Sequence, residues 1–411
     1  MKRLLSSGVV IAILLMTSLT RAEQPVKIGF LYALAGKNAT LGAVARQGVE
    51  MVLDEINTST SRILGREVIG IFETTGAGPA AAVEKLKKLV TENRVNVVIA
   101  AMSEDTAVHV VEAIKRLKVP LILTAAANPD LTGKKCNRYT FRITWTAQQR
   151  AKAAAIIGAK TKATTWTTLS PDKGCGLKCW ELFKGYLAET NPEALVAAQS
   201  VQAFAPSGTS DWSPYIATVV ASKAAGVLVT LERADLITFL RQAKDEGLFD
   251  AGRQVLIACP AAIDVFLALR SRMPVGIWVG APYWHGAKLT SENFRFVQSY
   301  MQRFGYPASY AAEKNYSAVK VYVKAVEKAG SLDGKAVVKA LAGLSLRSDM
   351  LPVGKLTIRA EDHQALFDIV WGRTSSNMAV TSSGRRYRML DAMTFVTPEQ
   401  LAIPAKECNL R

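Results

Sequence analysis

The feature that most constrains this chain is a rhythm. Short apolar runs alternate with segments whose apolar residues recur at helical spacing, and the alternation restarts once along the sequence. Val26–Ala33 reads as a buried strand and Leu41–Asn57 as a helix with Val44, Val49, Val52, Leu53 and Ile56 on one side. Val68–Phe72 is a strand, Pro79–Asn93 a helix opened by proline, and Val95–Ala101 a third strand. Thr106–Leu117 and Val119–Leu123 add a helix and a fourth strand. Strands separated by helices in this way predict a parallel sheet with right-handed crossovers.

After Arg142 the pattern begins again, with strands at Ala163–Leu169, Val196–Phe204, Gly226–Leu231 and Val255–Ala258. Helices at Thr146–Gly158, Lys178–Glu189, Pro214–Ser222 and Ala234–Glu246 alternate with them. Two such arrays predict an α/β chain with two doubly wound Rossmann-like lobes. Val275–Pro282 is strand-like, Glu292–Phe304 and Tyr310–Ala329 are helical, and Lys355–Ile358 and Leu366–Trp371 are strands followed by a turn-rich Ser375–Arg386. No stretch is long and structureless enough for a flexible linker, so short hinges are expected. Ligands of open α/β sheets bind beyond the carboxyl ends of strands, which nominates the loops after Ala33, Ala101, Leu123, Leu169, Leu231 and Ala258. Closing a cleft between such lobes is a hinge motion.

Met1-Lys2-Arg3, the apolar run Val9–Met16 and small or polar residues up to Ala22 have the order of a cleaved secretory signal peptide. The run is about half of the ~20 apolar residues needed to span a bilayer, and no Cys near Ala22 offers a lipid anchor. The 411 residues carry a formal charge of +17, and loss of Lys2, Arg3 and Arg21 takes this to +14. The basic groups Lys85-Lys87-Lys88, Lys134-Lys135 and Arg385-Arg386-Arg388 never form a stripe interleaved with aromatics, so no nucleic-acid partner is expected. Export makes a disulfide among Cys136, Cys175, Cys179, Cys259 and Cys408 the default, with the pairing open. The spacing of Cys175 and Cys179 is neither a redox nor a zinc pattern, and His109, His285 and His363 are isolated from one another. Neither metal nor cofactor is expected.

No nucleophile elbow, zinc-protease motif or P-loop is present; Gly330 to Gly334-Lys335 is one residue short and continues with Ala336. The aromatics at the changes between arrays, Trp145 and Tyr283-Trp284, are candidates for ligand contact, whereas Trp212 opens an amphipathic helix and reads as core.

Ile28–Asn57, ending Asp54-Glu55-Ile56-Asn57, is similar to the opening of the leucine/isoleucine/valine-binding type of periplasmic solute-binding protein. Val119-Pro120-Leu121-Ile122, Asn128-Pro129-Asp130-Leu131-Thr132, Tyr139-Thr140-Phe141-Arg142, Asp211-Trp212-Ser213-Pro214-Tyr215 and Leu240-Arg241-Gln242-Ala243 continue the resemblance across the mature chain. It implies a type I periplasmic binding protein fold: residues 23–143 and 275–352 as one lobe, 144–274 and 353–411 as the other, joined by three hinge crossings. It also implies a periplasmic monomer that captures a small organic solute and delivers it to an inner-membrane ABC permease with its ATPase, without chemistry on the ligand. An exported sensor of the same fold, or an exported α/β hydrolase, is the alternative.

Amino-acid-binding members hold the ligand carboxylate with a Ser at the helix after the third strand and with groups in the loop after the fourth. These places fall at Ser103, with Glu104 beside it, and at Ala125, Ala126 and Ala127. The expected Thr is Ala127, the acid that holds the ammonium is Ala261, and two expected aromatics are Cys175 and Glu232. Loss of such charged-group recognition costs a few kcal/mol and argues against an α-amino acid. Leu41, Ala125, Ala127 and Ala261 predict a more apolar pocket, with Glu104 and Glu232 as polar contacts and Trp145 and Tyr283 as aromatic ones.

Overall fold

The computed structural model describes residues 24–410 apart from 37–38, 60–61, 174, 199–200, 250–251, 260–262, 348 and 406. The expected signal peptide at 1–22 lies outside the described residues. The first array comprises β1 (Val26–Tyr32), α1 (Ala39–Thr58), β2 (Val68–Thr74), α2 (Pro79–Thr91), β3 (Val97–Ala101), α3 (Glu104–Leu117), β4 (Leu121–Leu123) and β5 (Thr140–Arg142). Its strands pair in parallel in the order β2-β1-β3-β4-β5.

Side chains alternate across this sheet. Val97, Ile99 and Ala101 of β3 pack on one face with Val49 and Val52 of α1, while Val98 and Ala100 pack on the other with Leu86 of α2 and Val110 of α3. Both faces are therefore covered, which is why the strands read as near-continuous apolar runs. α3 starts where Ser103 caps the Thr106 N–H, carries Glu104 and Asp105 in its first turn, and ends at Lys118 in the left-handed region.

The second array comprises α4 (Ala147–Ala159), β6 (Thr165–Pro171), α5 (Cys175–Thr190), β7 (Leu195–Val196), β8 (Ala203–Ala205), α6 (Ser213–Ala221), β9 (Gly226–Val229), α7 (Arg233–Asp245), β10 (Gln254–Ile257), α8 (Ile263–Leu269) and β11 (Trp278–Ala281). The expected strand Val196–Phe204 is two short strands, both pairing with β6. The chain continues through α9 (Ser291–Phe304), α10 (Tyr310–Ala329), α11 (Gly334–Leu341), β12 (Ser345–Leu346), β13 (Leu356–Ile358), β14 (Ala365–Phe367), β15 (Ile369–Val380), β16 (Arg386–Val396) and α12 (Pro398–Leu401). α10 packs along α1 so closely that a Cβ on Gly48 would sit 2.1 Å from the Ala312 oxygen.

Two features differ from the sequence reading. β11 pairs with β10 in the second sheet, so the return crossing to the first lobe follows Ala281 instead of lying near 275. The stretch expected to be turn-rich, Ser375–Arg386, is largely the end of β15 and the start of β16, a long hairpin that extends the second sheet antiparallel to β11. Ser375, Ser376 and Asn377 are poor strand formers and sit in a register irregularity between Thr374 and Met378, carried within β15 by the paired residues on either side. The third crossing passes through a small antiparallel sheet, β12-β13-β14.

Cys136 and Cys408 form a disulfide that ties the carboxyl-terminal tail, which follows α12, back to the first lobe. Cys179 and Cys259 are buried thiols. Among the described residues, no helix is long and apolar enough to cross a membrane, and no group of His, Cys, Asp and Glu could hold a metal ion.

Candidate functional site

Loops leaving the carboxyl ends of β3 and β4 in one lobe and of β6 and β9 in the other line a common cleft of about 520 Å3. This is the place that the strand-end rule nominates. Leu41, Ser103, Glu104, Ala125, Ala126, Ala127, Trp145 and Glu232 all line it. Tyr283 does not: it is buried in the core, donates to Asn293 Oδ1 at 2.7 Å and packs edge-on against Phe296. It follows β11 and enters the return crossing, and that crossing is filled by core side chains. Ala261 lies outside the described residues, and Cys175 is described only as the first residue of α5. The next residue, Gly176, lines the cleft, and a Cβ there would sit 2.4 Å from the Pro171 oxygen, so the start of α5 can approach the end of β6 only with glycine.

The loop after β4 is held from three directions. The Ala127 N–H donates to Glu104 Oε1 at 3.2 Å, and the Ala127 carbonyl accepts from the Ala147 N–H at 2.8 Å. Arg142, fully buried, donates through Nη1 to the carbonyls of Ala126 (3.3 Å) and Asn128 (2.6 Å), through Nε to Gln364 Oε1 (2.6 Å), and through Nη2 to Thr132. Burial pulls its guanidinium down to about 10, so it stays protonated at neutral pH. Ala126 is fixed at φ 71°, a left-handed conformation that costs an alanine about 1 kcal/mol. This backbone is therefore a preset wall. The Ala127 N–H, the donor expected to face a ligand carboxylate, is occupied by the protein's own carboxylate. Burial raises the Glu104 pKa, with Arg150 opposing.

Across the cleft, Arg150 projects from the first turn of α4, which starts with a capping box at Thr146 and Gln149. Its guanidinium lies over the Trp145 ring, 5.1 Å from the centroid, and Nη1 meets Glu232 Oε1 at 3.2 Å and Cys259 Sγ at 2.9 Å. Burial alone would raise the Glu232 carboxyl, but Arg150 and Arg233 outweigh it and hold it below its ordinary value. The Arg150 side chain is 5% exposed and that of Glu232 46%, so the pair presents its carboxylate to the cleft. Arg233, at φ 45° as the first residue of α7, reaches across to the Tyr310 hydroxyl of the other lobe at 3.4 Å.

Arg150, Arg233 and Tyr310 were not nominated by sequence. A signal existed for Arg150, because it shares the buried side of an alanine-rich helix with Ala151, Ala154 and Ala155, where a charge needs a partner. The three histidines are elsewhere: His285 and His363 are buried near the crossings and His109 is on the exposed side of α3. With cations, carboxylates and an indole face but no imidazole among the described lining residues, the arrangement is suited to holding a polar molecule.

A sequence profile of the family described as "Periplasmic binding protein" matches residues 25–377. A curated relative, Leu/Ile/Val-binding protein homolog 4 of Brucella melitensis biotype 1, is 24% identical, with 100% of this chain and 99% of the relative covered. Among solved structures, an ABC-type branched-chain amino acid transporter protein from Rhodopseudomonas palustris CGA009 superposes with a TM-score of 0.79 at 22% identity, covering 93% of this chain and all of that one. A solute-binding protein of an ABC transporter from Rhodopseudomonas palustris BisB5, in complex with 3,4-dihydroxybenzoic acid, gives 0.76 at 20% identity, with 91% and 98% covered. The chain belongs to the periplasmic binding protein family and has its type I, two-lobed α/β fold.

Proposed function

We propose that the protein is the solute-binding component of an ABC importer of the branched-chain amino-acid type. It captures a small organic acid between its lobes in the periplasm and presents it to an inner-membrane permease and its ATPase. The observation that carries this reading is the cleft, with buried Arg150 laid on the Trp145 face and anchored by Glu232. An aromatic acid, the kind of ligand bound by the Rhodopseudomonas palustris BisB5 protein, fits this set better than an α-amino acid. Glu104 already fills the Ala127 N–H, and Ala127 has no hydroxyl to offer a second carboxylate contact. The Trp145 indole packs on an aromatic ring, and an arginine of the cleft such as Arg233 is matched to a carboxylate.

The test is titration calorimetry of the mature protein with benzoate-type acids and with leucine, isoleucine and valine, while product formation is followed chromatographically. Binding of the aromatic acids without turnover is expected. Tight binding of the free amino acids would reverse the assignment of substrate class, and hydrolysis of an ester or amide would replace transport with catalysis.

A further inference from the structure

The space between the lobes does not end at the main cleft. A second chamber of about 510 Å3 adjoins it and shares Leu41, Arg233 and Tyr310 with it. Its first-lobe wall is formed by the start of α1 and the start of α10, and its second-lobe wall by α8 with Arg270 and Arg385. Together the two chambers give an elongated space at the upper end of the usual range for small-molecule sites.

The chambers differ in charge. In the main cleft the acidic residues Glu104, Glu232 and Asp235 match the basic residues Arg150, Lys173 and Arg233 in number. In the second chamber three arginines, Arg233, Arg270 and Arg385, face a single acid, Asp264. Among the described residues, Arg270 and Arg385 make no ion pair, and both are exposed at the rim. Burial raises the Asp264 carboxyl, with Arg233 opposing. The Tyr310 hydroxyl and the start of the 20-residue helix α10 add a hydrogen-bond donor and positive potential on the opposite wall.

On the reading of the protein as an organic-acid-binding component, we propose that the solute is an elongated organic acid spanning both chambers. Its carboxylate lies among Arg233, Arg270 and Arg385, and a hydroxyl at its other end donates to Glu104. The solute then touches both lobes, because the three arginines belong to one and Glu104 to the other, and the contact favours the closed arrangement.

The experiment compares 3-(4-hydroxyphenyl)propionate, its methyl ester and 3-phenylpropionate by titration against the mature protein and its R270Q/R385Q and E104A variants. The propionate should bind, the ester should bind on the order of tenfold or more weaker, and R270Q/R385Q should remove most of that difference. Glu104→Ala should weaken the hydroxylated acid more than it weakens 3-phenylpropionate. Both arginines are exposed, so thermal melting of R270Q/R385Q should match the parent. Equal affinity for acid and ester, an R270Q/R385Q affinity within about twofold of the parent for the acid, or no binding of any of the three overturns the proposal. A neutral or cationic solute that co-purifies and is identified by mass spectrometry overturns it too, while leaving solute capture in the cleft intact.

Discussion

Two arginines, Arg142 and Arg150, are taken out of water within a few residues of each other, on either side of the first crossing, and they serve different ends. Arg142 spends every direction of its guanidinium on the protein: two carbonyls of the loop after β4, Thr132, and Gln364 from the third crossing. It does not line the cleft. Arg150 lines it, lying on an indole face and paired with a carboxylate that is itself open to the cleft. A buried charge whose partners are all backbone and hinge groups fixes geometry, whereas one whose partner faces a cavity helps set what the cavity accepts.

The contrast is broken most forcefully at Arg142. Arg142→Met leaves several buried acceptors without donors, and the expected loss is about 3–5 kcal/mol in denaturant unfolding. A loss below about 1 kcal/mol would mean that the loop after β4 is held by Glu104 and Ala147 alone. The Cys136–Cys408 disulfide is a second structural tie, closing a sequence separation of 272 residues. Replacing both cysteines by serine should lower stability by about 2–4 kcal/mol, read from melting with and without reductant. If reductant destabilises the parent no more than the double variant, the tail docks without the bond.

His285 extends the comparison to a group buried in its neutral form. Burial lowers its pKa from 6.5 to about 4, with Tyr387 at 3.1 Å from Nε2. The contribution is complete above the unfolded value of 6.5 and is lost as the pH falls toward 4, where the unfolded chain takes up a proton that the folded one refuses. The loss should reach up to about 3 kcal/mol over that window, measured as the pH dependence of unfolding. His285→Phe should flatten the slope; an unchanged slope would assign the acid sensitivity to other groups. The smallest stability effect is expected at Arg150. Arg150→Met should cost about 1 kcal/mol or less, because Glu232 remains open to water, but should weaken binding of an aromatic acid on the order of tenfold. A large loss of stability with unchanged affinity would make Arg150 a second Arg142.

Much of the fold was legible because β1, β3 and β4 are buried on both faces and the helices between them carry a one-sided apolar pattern. The loops at their ends could then be named as cleft walls, and eight of the eleven nominated positions line the cleft. Tyr283 was misplaced because an aromatic at a crossing has the same sequence signature whether it faces a ligand or the core. The β15–β16 hairpin was hidden by its polar residues, which lie in an irregularity of β15 flanked by segments that pair with β16. The partnership of Arg150 with Glu232, 82 residues away, leaves no local trace.

By itself the sequence determined the alternation of strands and helices, and with it two doubly wound lobes and the strand ends at which a ligand can sit, because burial on both sheet faces imposes a local and periodic pattern. Only the tertiary structure decided where the second crossing falls, which cysteines join, and which charges meet across the cleft. Those outcomes depend on contacts between residues far apart in the chain, and no local period encodes them.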